Sequence, residues 1–123
     1  MLIENQVAAA AQSFNLKQLG ITSFQAPLFW QEGKLIPIKK VDLSEPFCPA
    51  FTCAELGEML PSEIMTEREP GLEYRIWVCS DEMNYEVAFP NHTEAAAKAD
   101  MLIWLLEKGH LTAAEANEAL AAD

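Results

Sequence analysis

The sequence predicts a small single-domain α+β protein in which an antiparallel β-hairpin or sheet packs against one central capped helix, 94–108, with short helices around it. Three observations carry this prediction. The stretch TEAAAKADMLIWLLEKGHL, Thr93–Leu111, has helix start and stop signals around an apolar-rich middle. From Leu72 the apolar period changes to two, as in a half-buried strand. The length of 123 residues suits one core, with about two-thirds of the unfolded chain's surface buried on folding.

The central helix is bounded by local chemistry. Thr93 can accept from the free N–H groups of the first turn, and Glu94 sets negative charge at the positive end of the helix dipole. Gly109 after Lys108 is a stop in the left-handed conformation. At about 100° per residue, Ala95, Ala96, Ala99, Leu102, Ile103 and Leu106 form one apolar stripe. The other half carries five charges but also Met101, Trp104 and Leu105. A helix packed on one side only has no use for those three, so they imply a second contact. It is supplied either by another part of the chain or by a partner.

In the paired strands, Leu72, Tyr74, Ile76 and Val78 alternate with Glu73, Arg75, Trp77 and Cys79. After Ser80-Asp81-Glu82, Met83, Tyr85, Val87 and Phe89 alternate with polar or small residues. The expected apolar face seats the alanine-rich side of the helix. Trp77 then falls on the opposite face beside Arg75, where it is either covered by the N-terminal hairpin or exposed as an interaction anchor.

Residues 4–19 predict a first helix with Val7, Ala11, Phe14 and Leu19 roughly aligned, ended by Gly20. Apolar runs on either side of Glu32-Gly33 predict a short hairpin or extended arm, confined to sheet edges by Pro27 and Pro37. The segment VDLSEPFCPA reads as an ordered linker. Thr52-Cys53-Ala54-Glu55 is a capping box that starts a short helix, with Leu56, Met59 and Leu60 buried and Pro61 ending it. The polar segment 62–71, with Pro70-Gly71, predicts a flexible loop. Thr112-Ala113-Ala114-Glu115 is a second capping box and starts a terminal helix over 112–122. That helix docks through Ala116, Ala119 and Leu120 and is a candidate cover for Trp104 and Leu105.

The net charge is −11 and uneven. Residues 1–41 hold two acids against four lysines, a net of +2; residues 42–123 hold the other 17 acids against Arg68, Arg75, Lys98 and Lys108, a net of −13. Such an acidic surface repels phosphates, which disfavours direct nucleic-acid binding. The longest apolar run, Met101–Leu106, is far short of the roughly 20 residues of a membrane span. No lysine or arginine precedes the alanine run at the N-terminus, so export is not expected and a cytoplasmic location is.

Cys48, Cys53 and Cys79 are odd in number and lack a CxxC pair, which reads as reduced thiols. With His92 they offer four soft ligands, but their intervals lack the close pairs of structural zinc, and no metal or cofactor is expected. His92 could meet Asp81 or Glu82 as an acid–base pair; its place before the helix cap fits a loop residue better. No nucleophile elbow, phosphate loop or HExxH is present, so no catalytic residues are assigned.

The runs QSFNLKQLGI, PLFW, PAFTCAELGEMLPSEI, an aromatic-rich hairpin and TEAAAKADMLIWLLEKGHL together resemble a family of small uncharacterised proteins met in prophages and mobile elements of gut bacteria. The resemblance covers most of residues 12–111 and is most specific in LGEMLP and MLIWLLEKGHL. The family has no assigned activity, so it implies a phage-accessory role and carries over no site residues. The expected function is a non-enzymatic protein-interaction module, with homodimerisation as one form of it. Its candidate surface is Arg75, Trp77, Met101, Trp104 and Leu105. Two alternatives stand beside it. One is an acidic inhibitor that mimics nucleic-acid phosphates. The other is a HicB-like antitoxin partner, because two strands run into a capped alanine-rich helix.

Overall fold

The computed structural model describes residues 6–22, 27–61, 64–70, 75–81 and 87–121, with the backbone alone at 68–70, 75–81 and 87. The order of elements is α1 (Ala10–Gln18), β1 (Leu28–Gln31), β2 (Lys34–Pro37), β3 (Cys48–Pro49), α2 (Cys53–Met59), β4 (Met65–Pro70), β5 (Arg75–Asp81), β6 (Val87–Asn91), α3 (Glu94–Glu107) and α4 (Ala113–Ala121). The strands form two antiparallel three-stranded sheets, ordered β2-β1-β3 and β4-β5-β6. The fold is α+β, as expected. No helix among the described residues is long and apolar enough to cross a membrane.

Helix α3 is the hub. The Thr93 hydroxyl accepts from the Ala96 N–H at 3.0 Å. At the other end Gly109 (φ 77°) allows His110 N–H to reach the Leu105 carbonyl at 2.9 Å and Gly109 N–H the Leu106 carbonyl at 3.3 Å. This double closure satisfies carbonyls that a helix end otherwise leaves open. Helices α1 and α2 and the β4–β6 sheet pack against α3, while α4 packs against α2.

The apolar stripe of α3 is rotated from the sequence reading. Ala95, Ala97, Ala99, Met101, Leu102 and Leu105 are buried, whereas Ala96, Ile103 and Leu106 are only partly so. Polar contacts show what lies around the helix. Gln12 of α1 donates to the Ala96 carbonyl at 3.0 Å and to Asp100 at 2.7 Å, Cys53 of α2 donates to Glu94, and Asn91 of β6 donates to Asp100 at 2.9 Å. Strand β6 therefore meets α3 at Asp100 and Trp104, on the half assigned from sequence to a second contact. Elements of the same chain occupy both halves, which is why the helix is apolar on both.

Three other expectations need correction. The first helix begins at Ala10, because residues 7–8 are engaged as extended chain: Val7 bridges Thr52 and the Ala8 N–H donates to the Phe51 carbonyl at 2.9 Å. Its buried residues are Ser13 and Leu16; of the expected stripe, Val7 is buried and Phe14 is half-buried against the smaller cluster, while Ala11 is exposed. Within 62–71, Met65–Pro70 is strand β4, paired along its length with β5. Its charges made it read as a loop, yet charged side chains and a terminal proline are what protect an edge strand from unwanted pairing. The β5–β6 register sets Cys79 opposite Phe89 and Val78 opposite Pro90. The Ile76/Val78 and Val87/Phe89 series are thus out of phase, since a shift of one residue exchanges faces. Helix α4 packs on α2, and its Ala116 and Leu120 belong to the core cluster that also holds Leu105 and against which Trp104 packs.

The β1–β2 hairpin of the smaller sheet is built as the sequence suggests, while its third strand, Cys48–Pro49, falls in the segment expected to be a linker and pairs with β1. Glu32 (φ 52°) and Gly33 (φ 74°) are both left-handed, the signature of a tight turn whose twist matches the strands it joins. Beneath it Val7, Trp30, Cys48 and Ala50 form a small second cluster beside the main core. The Trp30 ring N–H donates to the Ala8 carbonyl at 2.8 Å.

Candidate functional site

The residues singled out from sequence separate into three groups. Met101 and Leu105 have no exposed surface, so they are core and cannot contact a partner while the chain is folded. Trp104 is partly buried between the rings of Phe89 and His110, at centroid distances of 6.2 and 5.2 Å. Arg75 and Trp77 lie on the central strand β5, opposite Pro70 and opposite both Arg68 and Asn91 respectively. Their side chains are outside the described residues. The second side of α3 is therefore covered by its own chain at Met101 and Leu105.

Apolar surface is exposed elsewhere. Ile38 is 46% and Leu43 78% exposed, next to the exposed side chains of Lys34, Lys39 and Lys40. Ile38 and the lysines lie in edge strand β2 and the following 3-10 turn, Ile38–Lys40, and Leu43 lies three residues beyond it between exposed Asp42 and Ser44. The corner is held in shape from below. Buried Gln31 donates through Nε2 to the Asp42 carbonyl at 2.7 Å and accepts from the Asp42 N–H at 2.9 Å. Ser44 donates to the Asp42 carboxylate from both N–H (3.0 Å) and hydroxyl (2.7 Å), which holds that carboxyl below its ordinary range. Two large aliphatics and three lysines stand on an ordered platform within a chain that is otherwise strongly acidic.

A concave feature lies between α2 and α3. An open cleft of about 320 Å³ has Leu60, Pro61 and Ile64 as its apolar lining, with Gly57, Thr66, Glu94 and Lys98 completing it. The capping box positions α2: the Glu55 N–H donates to Thr52 Oγ1 at 3.2 Å and the Thr52 N–H to Glu55 Oε1 at 3.0 Å. Next to the cleft the Cys53 thiol donates to Glu94 Oε2 at 2.8 Å. Burial and that hydrogen bond push the Cys53 thiol up to about 11, against the attraction of Lys98. Burial likewise pushes the Cys48 thiol up to about 11. Neither thiol is a thiolate at neutral pH, and the thiolate is the nucleophilic form. Among the described residues no three His, Cys, Asp or Glu side chains gather as a metal site requires. The Cys79 side chain lies outside them, as do the carboxylates weighed as partners of exposed His92.

Neither feature was singled out from sequence. Ile38 and Leu43 were visible as aliphatics flanking lysines in a segment read only as an arm and linker. The cleft had one local signal, Gly57 inside a seven-residue helix. Among the described residues, fold and site give a small α+β domain that carries a lysine-flanked apolar corner and a mixed-charge cleft. Comparison with protein-family models, with curated proteins and with solved structures gave no match.

Proposed function

We propose that the chain is a non-enzymatic protein-interaction module of prophage or mobile-element type, and that it binds an acidic partner through the corner formed by Lys34, Ile38, Lys39, Lys40 and Leu43. The observation that carries this reading is the exposure of Ile38 and Leu43 beside three lysines in a chain of net charge −11. Exposed aliphatics flanked by lysines suit a partner with an apolar pocket and carboxylates at its rim, although Asp42 and Glu45 beside Leu43 bring acid to the same stretch; burial supplies affinity and charge sets orientation. The protonated thiols support a non-catalytic role, and the sequence resemblance supports the mobile-element origin.

The test compares the wild-type chain with the double variant Ile38→Asp/Leu43→Asp as bait, together with light scattering of each. Both substituted residues are exposed, so the variant folds. A partner held by the wild type and lost from the variant supports the reading, and a doubled mass that the variant abolishes identifies the partner as a second copy. Capture that is equal for both proteins overturns it. If the captured proteins are basic and are released by salt, the acidic remainder is the binding surface and phosphate mimicry takes its place.

A further inference from the structure

The α2–α3 cleft has a feature that folding does not explain. Gly57 sits inside helix α2 with its side exposed to the cleft, and it is not among the glycines with positive φ, so its backbone conformation is open to any residue. A Cβ at position 57 meets only the Lys98 Nζ, at 3.4 Å, which is an ordinary contact with the end of a flexible side chain. Neither conformation nor packing requires glycine there, yet glycine inside a helix costs about 0.5–1 kcal/mol relative to alanine. What the missing side chain does provide is room, because it lets a bound molecule approach the α2 backbone.

The walls define what would fit. Glu94 and Lys98 are one turn apart on α3 and bring opposite charges to the same cleft. The Glu94 carboxylate receives the Cys53 thiol on Oε2, and a carboxylate has about four lone-pair sites, so it can accept a further donor. Lys98 brings three donors to the region above Gly57. The rest of the lining is Leu60, Pro61 and Ile64 with Thr66; Leu60 is nearly buried, so aliphatic groups are the smaller part of the cleft's surface. A dianion such as phosphate would meet Glu94 unfavourably, and an uncharged molecule would gain nothing from the two charges, which already face the Cys53 thiol and stand one helical turn apart. A molecule carrying one ammonium and one carboxylate on an aliphatic body satisfies all three walls.

We infer that this cleft is a binding site for a small aliphatic zwitterion of the neutral α-amino acid class, with its ammonium on Glu94, its carboxylate on Lys98 and its aliphatic part against Leu60, Pro61 and Ile64. The site is independent of the basic corner, so it stands or falls apart from the reading above. The experiment is a titration of the full ¹⁵N-labelled chain with L-leucine, pentanoate and n-pentylamine, followed by backbone amide shifts. L-Leucine is expected to move the amides of Gly57, Ile64 and Lys98 with a Kd of about 1 mM or tighter, and each singly charged analogue to bind at least about tenfold more weakly. Lys98→Met and Glu94→Gln should each weaken L-leucine by about tenfold or more, and Gly57→Leu, an exposed substitution that fills the cleft, should abolish binding while the spectrum stays dispersed. Amides that do not move with L-leucine in the wild type overturn the inference. So does binding that survives all three substitutions, or an analogue that binds as tightly as L-leucine.

Discussion

Replacing Asp100 tests whether the polar tie at the centre of the fold stabilises it as the geometry implies. Its Oδ1 accepts from Gln12 Nε2 at 2.7 Å and its Oδ2 from Asn91 Nδ2 at 2.9 Å, so one carboxylate joins α1 and β6 to α3. Hydrogen bonds to a charged group contribute about 1.5–3 kcal/mol each, and partial burial puts these at the lower end. Gln12 Nε2 keeps the Ala96 carbonyl at 3.0 Å after the change, so only one of its two bonds is lost. Asp100→Ala also gains about 0.5 kcal/mol of helix propensity. With about 1.5–2 kcal/mol for each of the two bonds, the balance is a loss of about 2.5–3.5 kcal/mol. Asp100→Asn retains an oxygen for one donor but turns an NH₂ toward the other, so its loss should be smaller, about 1–2 kcal/mol. Urea unfolding followed by tryptophan fluorescence reads both values, and double-mutant cycles with Gln12→Ala and Asn91→Ala separate the two ties. A change below about 0.5 kcal/mol for Asp100→Ala, or coupling below that value in both cycles, would refute the assignment, because it is the range of surface substitutions.

Two more outcomes follow from the same packing. Gly20 has φ 103°, and a Cβ there would stand 3.0 Å from the Ala113 Cβ. Gly20→Ala should therefore cost more than 1 kcal/mol, measured as a lowered urea midpoint, because strain adds to a clash between two elements that cannot part without moving α4. Both described cysteines ionise at about 11 in the folded chain instead of their ordinary 9.0. The folded state thus holds its thiol protons more tightly than the unfolded state. That contribution to stability is complete below pH 9 and is lost as pH rises through 9 to 11. The urea midpoint should fall across that window in the wild type and fall less in Cys48→Ala/Cys53→Ala. Equal slopes in the two proteins would contradict the assignment.

The parts of the fold that were legible in the sequence are those specified within a few residues. Thr52 with Glu55, Thr112 with Glu115, Thr93 at the start of α3 and Gly109 at its end are all local hydrogen-bonding arrangements, and each is formed. The Glu32-Gly33 turn belongs with them. What sequence could not supply depends on distant partners. The phase of β5 against β6 is set by which residues of the two strands pair, which alternation of side chains does not encode. Met101 and Leu105 suggested an interface because nothing in the helix itself says how many neighbours surround it. Strand β4 is recognisable only beside β5, since its charged edge lacks an apolar period. The cleft escaped notice because Gly57 and Lys98 are brought together only by the docking of α2 on α3.

The bonds that bind α4 to the rest of the molecule also fix when folding can finish. Asn117 imitates a peptide group, donating to the Gly20 carbonyl at 2.9 Å and accepting from the Thr22 N–H at 3.0 Å, across sequence separations of 97 and 95 residues. Gln12 reaches Asp100 across 88. A ribosome delivers α1 and α2 well before the segments that bury them, and neither has a complete apolar neighbour until α3 and α4 have emerged. Contacts of such large sequence separation carry a high loop-closure cost, so the docking of α4 and α3 onto α1 is expected to form late in folding.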